Sequence, residues 1–112
     1  MNQISTIEYM KKTNSNGYIK ILTDDGWQFE HLYVMTVFLG RNLNVNEVVH
    51  HEDMNKLNNS IDNLILFPCI KDHSTFHRKI RQHGYTNPRR LEIRKLRENM
   101  INEHIKNKGV NI

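Results

Sequence analysis

The sequence predicts an α+β fold, with an N-terminal β-hairpin and helix, a central strand–loop–strand–helix unit, and a C-terminal helix. Three observations carry this. Two β-prone runs, residues 18–23 and 27–29, flank the turn residues Asp24, Asp25 and Gly26. Four of the seven histidines fall in two pairs, His50 beside His51 and His73 four residues before His77, with an Asn-rich loop between the pairs. Two stretches, 30–39 and 88–106, carry apolar residues at near-helical spacing.

Length and charge set the frame. A chain of 112 residues makes one domain, or one domain with an appendage, around a modest core. Sixteen Lys and Arg against twelve Asp and Glu give a net charge of +4, which tilts the expected partner toward an anion such as nucleic acid. The single cysteine, Cys69, excludes an internal disulfide and a Cys-based zinc site. The N-terminus has no long apolar run, so no signal peptide is expected, and no window suits a membrane span. The expected location is the cytoplasm, with no membrane partner.

In chain order, residues 1–15 are polar, with a short helix expected around 7–12. Residues 17–29 form the hairpin, and Trp27 and Phe29 are expected to bury one face of it. Residues 30–39 read as a helix with Leu32, Met35, Val37, Phe38 and Leu39 on its apolar side, ended by Gly40. His31 at its start is read as a packing or capping residue. Residues 47–51 are a short strand, and 52–62 a loop of Asn and Asp whose side chains stabilise turns. Residues 64–67 are a second strand, stopped by Pro68. A helix starts near 69–72 and runs to about 82, with Gly84 as its end, and Cys69 reads as a half-buried structural thiol. The last helix, 88–106, has Leu91, Ile93, Leu96, Met100, Ile101 and Ile105 as its stripe and Arg89, Arg90, Arg94, Lys95 and Arg97 as its basic side, and the chain from Asn107 is expected to be loose.

The histidine pairs carry the chemistry. On a helix, His73 and His77 point the same way, one turn apart, and can share a metal ion. Taken alone, two histidines at this spacing more often mark a solvated helix face. His50 and His51 change that balance. Neighbours on a strand point to opposite sides, but at a strand end both can address one cleft, one as a third ligand and the other free. A nuclease needs that division: a metal on the scissile phosphate and a separate base for the attacking water. Imidazole suits the base role, with an unperturbed pKa of about 6.5. Asn63, with amide donors and an acceptor, is placed to tie the loop between the strands, although an ordinary Asx turn is the simpler reading for Asn63 alone.

Residues from about 30 to 78 resemble the HNH endonuclease family, the ββα-metal (His-Me finger) nucleases. The resemblance rests on Glu30-His31, Leu39-Gly40-Arg41, Glu47-Val48-Val49-His50-His51, Asn55-Lys56, Asn58-Asn59, Asp62-Asn63-Leu64 and the His73/His77 pair. It implies His51 as the general base, His50, His73 and His77 as ligands of one divalent ion, and Asn63 as the residue that orders the loop and orients the base. The implied reaction is single-metal hydrolysis of a phosphodiester, leaving 5′-phosphate and 3′-hydroxyl ends. The ion itself stays open among Zn²⁺, Ni²⁺, Mg²⁺ and Mn²⁺: three imidazoles suit zinc or nickel, and magnesium prefers oxygen. Two positions depart from many relatives, Met54 where Gly is common and Cys69 where Ser or Thr is common.

The implied partner is DNA, held mainly through its phosphates. Arg41, Lys71 and Arg78 are the expected cations near the scissile phosphate, and Arg89, Arg90 and Arg94 the expected contacts of the last helix. Each is also an ordinary surface cation on its own. The expected organisation is a hairpin segment over 1–29, a nuclease core over 30–83 and a basic C-terminal helix and tail over 84–112. Such a chain fits a small phage-type or homing-type nuclease in a bacterial host cell, working as a homodimer or with phage packaging proteins. Nicking and double-strand cleavage both stay open. The rival reading is a zinc-stabilised DNA-binding module or packaging adaptor without cleavage; a closed four-ligand site would favour it.

Overall fold

The structure, a computed structural model, describes residues 10–14 and 16–108. It opens on a three-stranded antiparallel sheet of β1 (Lys11–Thr13), β2 (Ile19–Thr23) and β3 (Gly26–Phe29), in that spatial order. Asp24 and Asp25 form the turn between β2 and β3, and Gly26, at φ +100°, takes a backbone conformation that side chains disfavour. Two expectations change here. Residues 11–13 are strand, because they pair with the edge of β2; residues 7–9 of the expected helix lie outside the described residues. Trp27 is not the buried anchor of the hairpin. It pairs with Leu22 on the outer face and is 40% exposed, with Lys12 Nζ 4.2 Å from its ring centre. Ile21, out of phase with it by one residue, is the side chain that is fully buried.

Helix α1 (Glu30–Leu39) continues directly from β3. Met35 and Leu39 are its fully buried apolar positions. Gly40 ends it in the left-handed conformation, its N–H donating to the Thr36 carbonyl at 3.0 Å. Strands β4 (Val48–His51) and β5 (Leu64–Phe67) pair antiparallel, with His50 opposite Ile65 and His51 opposite Leu64. The loop between them ends in a 3-10 turn, Ile61–Asn63. Helix α2 (Ile70–His83) follows, then α3 (Asn87–Lys108).

The β4–β5 pair is the middle layer. Leu64 and Leu66 pack with Val49, Met35, Leu39 and Met100 on the α1 side. Ile65 and Phe67 pack with Phe76 and Ile93 on the α2 side. Burial of both faces explains why β5 reads as an unbroken apolar run. Phe76, 1% exposed, holds α2 on the sheet, and truncating such a ring costs about 3–5 kcal/mol.

Helix α3 serves both clusters, through Met100 in one and Ile93 with Leu96 in the other. The expected stripe is therefore split, and Leu91, Ile101 and Ile105 remain exposed. Asn107 and Lys108, expected to begin a loose tail, belong to α3, and residues 109–112 of that tail lie outside the described residues. His104 stacks on Phe38 with ring centres 4.2 Å apart and its Nδ1 lies 2.7 Å from the Phe38 carbonyl, while Asn107 Nδ2 donates to the Leu39 carbonyl at 2.8 Å. These bonds satisfy carbonyls that the end of α1 leaves open. Among the described residues no helix is long and apolar enough to cross a membrane.

Candidate active site

Strand alternation separates the two adjacent histidines. His50 faces α2, edge-on to Phe67 at 5.6 Å and Phe76 at 5.5 Å between ring centres. His51 faces the hairpin and α1, its ring centre 5.2 Å from His31 and 6.3 Å from Tyr18. Because both stand at the end of β4, they nevertheless line one cleft. Its walls include Tyr18, Lys56, His73 and His77.

His50, His73 and His77 converge. Each offers one ring nitrogen, and these three atoms lie within 4.8 Å of one another. His50 Nδ1 is 3.1 Å from His73 Nε2, which is 2.9 Å from His77 Nε2. One ring nitrogen either donates a single proton or accepts through a single lone pair. His73 Nε2 has two such neighbours, so ordinary hydrogen bonds do not account for the cluster, and the three nitrogens together could hold one metal ion. Burial, then the neighbouring imidazoles His73, His77 and His51, push His50 down to about 4. Burial and His77 lower His73, and burial and Arg81 lower His77. Each shift favours the neutral ring, the form that can bind a metal. The donor set fits a divalent ion of borderline softness, and three protein ligands are the number that leaves a position for substrate.

His51 stands apart from this cluster. Its Nε2 lies 2.6 Å from Asn59 Oδ1, and Asn59 Nδ2 donates to Glu30 Oε1 at 2.9 Å. All three side chains are buried. Glu30 also pairs with Lys11 at 3.1 Å, which joins the edge strand β1 to the site.

Asn63 orders the loop. Its Oδ1 accepts from the Asp53 N–H at 3.1 Å, and its Nδ2 donates to Asp53 Oδ1 at 2.8 Å and to the Asn58 carbonyl at 2.9 Å. Asn58 and the Asn55 N–H also donate to Asp53, whose carboxyl is held below its usual range, chiefly by the Asn58 amide. The loop amide that touches His51 is that of Asn59, and the bonds of Asn63 stay within the loop. Met54 sits in this loop at φ +63°, the left-handed conformation that a glycine would adopt without strain.

The expected cations divide. Arg41 is not turned to the cleft: it makes a two-pronged pair with Glu47, at 2.9 and 2.7 Å, and bonds Glu103 as well. These carboxylates raise Arg41 and hold Glu47 below the usual carboxylate range. Its task is to bind α3 to the start of β4. Lys71 and Arg78 are exposed on α2 and do not line the cleft with the histidines. Arg89 pairs with Glu92 at 3.2 Å, Arg90 lies over the Tyr85 ring, and Arg94 is exposed.

Sequence reasoning missed several neighbours of the site. Lys56 lines the cleft, its Nζ 4.7 Å from the Tyr18 ring centre and donating to the Asn16 carbonyl at 2.9 Å. No local pattern connects a loop lysine to a hairpin 40 residues earlier. Arg81 acts on His77, and its signal was readable, because it continues the 73, 77 spacing by one more turn. His31 is buried against Tyr18, ring centres 5.1 Å apart, and is pushed down to about 4 by burial and by His51. Its Nδ1 is the one buried side-chain polar atom among the described residues without a hydrogen-bond partner.

Residues 29–69 match the family model described as HNH endonuclease. That segment holds Glu30, His50, His51, Asn59 and Asn63, and ends before α2, so His73 and His77 join the site by geometry. No curated protein and no solved structure matches the chain.

Proposed function

The segment 29–69 belongs to the HNH endonuclease family, and from that premise we propose that the protein is a metal-dependent DNA endonuclease with His51 as general base. One observation carries the reading. Three histidines converge on one point while the fourth, adjacent in sequence and in the same cleft, is held separately by Asn59. That is the division between ligands and base that phosphodiester hydrolysis needs.

In this reading His50, His73 and His77 hold the ion. When bound, it supplies charge stabilisation at the scissile phosphate and at the departing oxygen. The chain's own groups do the rest. His51 takes the proton of a water whose oxygen forms a bond to phosphorus as the bond from phosphorus to the 3′ oxygen breaks. Lys56 and Arg81, cations beside the cluster, hold the phosphate in place. Asn63 orders the loop beside the cleft through its bonds to Asp53 and Asn58. The exposed Lys71, Arg78 and Arg94 remain free for more distant DNA phosphates.

The test is cleavage of supercoiled plasmid by metal-stripped protein resupplied with Mg²⁺, Mn²⁺, Ni²⁺ or Zn²⁺ in turn, beside His51→Ala. Metal-dependent nicking or linearisation that is lost in His51→Ala, with folding and metal content retained, supports the proposal. Retarded migration of DNA without cleavage under every metal, together with unfolding on chelation, would replace it with the zinc-stabilised binding module.

A further inference from the structure

We propose that Glu30 and Asn59 are positioning residues that set the tautomer of His51, so that Nδ1 is the nitrogen left to accept a proton. The inference deepens the nuclease reading and rests on it for the role of His51, but its geometry stands independently.

The assignment runs outward from the one unambiguous charge. A carboxylate only accepts hydrogen bonds. Glu30 Oε1, 2.9 Å from the Asn59 amide nitrogen, therefore fixes which way that amide faces. The Asn59 oxygen is then the atom presented to His51, at 2.6 Å. An amide oxygen also only accepts. His51 Nε2 must carry the proton, and the lone pair of the neutral ring falls on Nδ1.

Burial makes the chain of bonds directive. Glu30, Asn59 and His51 are 6%, 9% and 7% exposed, so water does not readily substitute for a missing partner. The three come from separate parts of the chain, at the start of α1, in the loop, and at the end of β4. The packing of α1 against the β4–β5 layer is thereby coupled to the orientation of one imidazole. The loop order maintained by Asn63 reaches His51 through this same route, since Asn63 holds the carbonyl of Asn58, the residue before Asn59.

The experiment reads the tautomer directly. Histidine side chains of ¹⁵N-labelled metal-free protein are examined by long-range ¹H–¹⁵N correlation, with His51 assigned by its loss in His51→Ala. The wild type should show His51 protonated at Nε2. Asn59→Ala and Glu30→Leu should lose that single state, whereas Glu30→Gln, which keeps an acceptor for the Asn59 amide, should retain it. With cleavage as second readout, kcat should fall about 10–100-fold in Asn59→Ala and Glu30→Leu with KM little changed, and Glu30→Gln should stay near wild type. Protonation at Nδ1 in the wild type, or an unaltered His51 state in both Asn59→Ala and Glu30→Leu, overturns the proposal whatever the protein cleaves. If Asn59→Ala does not fold, the wild-type tautomer and the contrast between the two Glu30 variants decide. The expected tautomer pattern in a protein that cuts no DNA would uphold the positioning and overturn the nuclease reading.

Discussion

His50 Nδ1 lies 3.1 Å from His73 Nε2, although one imidazole comes from a strand and the other from a helix 23 residues later. That contact, with His77 at 2.9 Å from the same nitrogen, defines the first prediction. A divalent ion bound there stabilises only the folded chain. Zn²⁺ at a hundredfold excess over its dissociation constant should add about 2.7 kcal/mol. Calorimetry with and without chelator measures this. His50→Ala, His73→Ala and His77→Ala should each reduce the metal-dependent shift, and an unchanged shift in all three would locate the metal elsewhere.

Arg41 is a structural cation, and its loss should show in stability and not in DNA affinity. Glu47 is 8% exposed at its side chain, and removing Arg41 leaves that carboxylate without its main partner. Arg41→Ala should cost about 1–3 kcal/mol in urea unfolding. The pairing lowers Glu47, so its contribution is present above the usual carboxylate range and is lost as pH falls through the lowered value. The folded variant should bind DNA as the wild type does. A selective loss of affinity would return Arg41 to the phosphate contacts.

His31 makes the metal-free protein sensitive to mild acid. Its ring is 8% exposed and is pushed from 6.5 to about 4. Below 6.5 the unfolded chain binds a proton that the folded chain does not, so stability falls as pH drops from 6.5 toward 4. By linkage this group alone removes about 2 kcal/mol between about pH 7 and pH 5. His50 adds in the same direction, being lowered likewise. Unfolding of His31→Phe, which keeps the stack on Tyr18, should show a smaller loss over that range; an equal loss would mean that His31 is not the buried neutral group.

Met54 occupies a left-handed position at φ +63° with an exposed side chain. An L residue there costs roughly 1–2 kcal/mol, which glycine avoids while giving back about 0.5–1 in chain entropy. Met54→Gly should therefore be neutral to about 1 kcal/mol more stable, and Met54→Val less stable than wild type. Thermal midpoints of the two variants check the order. The reverse order would mean that the side chain's packing outweighs the backbone strain.

The helix start at Cys69 is a milder case. The residue is extended, at φ −154° and ψ 158°, and its side chain makes no capping bond. Cys69→Ser should supply an acceptor for the first turn of α2 and stabilise the protein by about 1 kcal/mol, read as a higher denaturant midpoint.

Much of the molecule was determined by sequence alone. Local periodicity marked β2, β3, α1, β5 and α2 almost to their ends, because each is bounded by a residue with one-sided chemistry: Gly26, Gly40, Pro68, Gly84. The spacing of His73 and His77 put two imidazoles on one helical face, and the place of His50 and His51 at a strand end let both reach one cleft although neighbours on a strand alternate. Tertiary structure decided what depends on contacts between distant segments. It placed residues 11–13 in a sheet, since an edge strand is stabilised by its neighbour's backbone and carries little signal of its own. It paired Arg41 with Glu47 and with Glu103, the latter 62 residues away. It also chose Asn59, among four asparagines of one loop and turn, to meet His51, because only the docking of α1 brings Glu30 to orient that amide. Hydrogen-bond direction is a property of three-dimensional neighbours, and no sequence period encodes it.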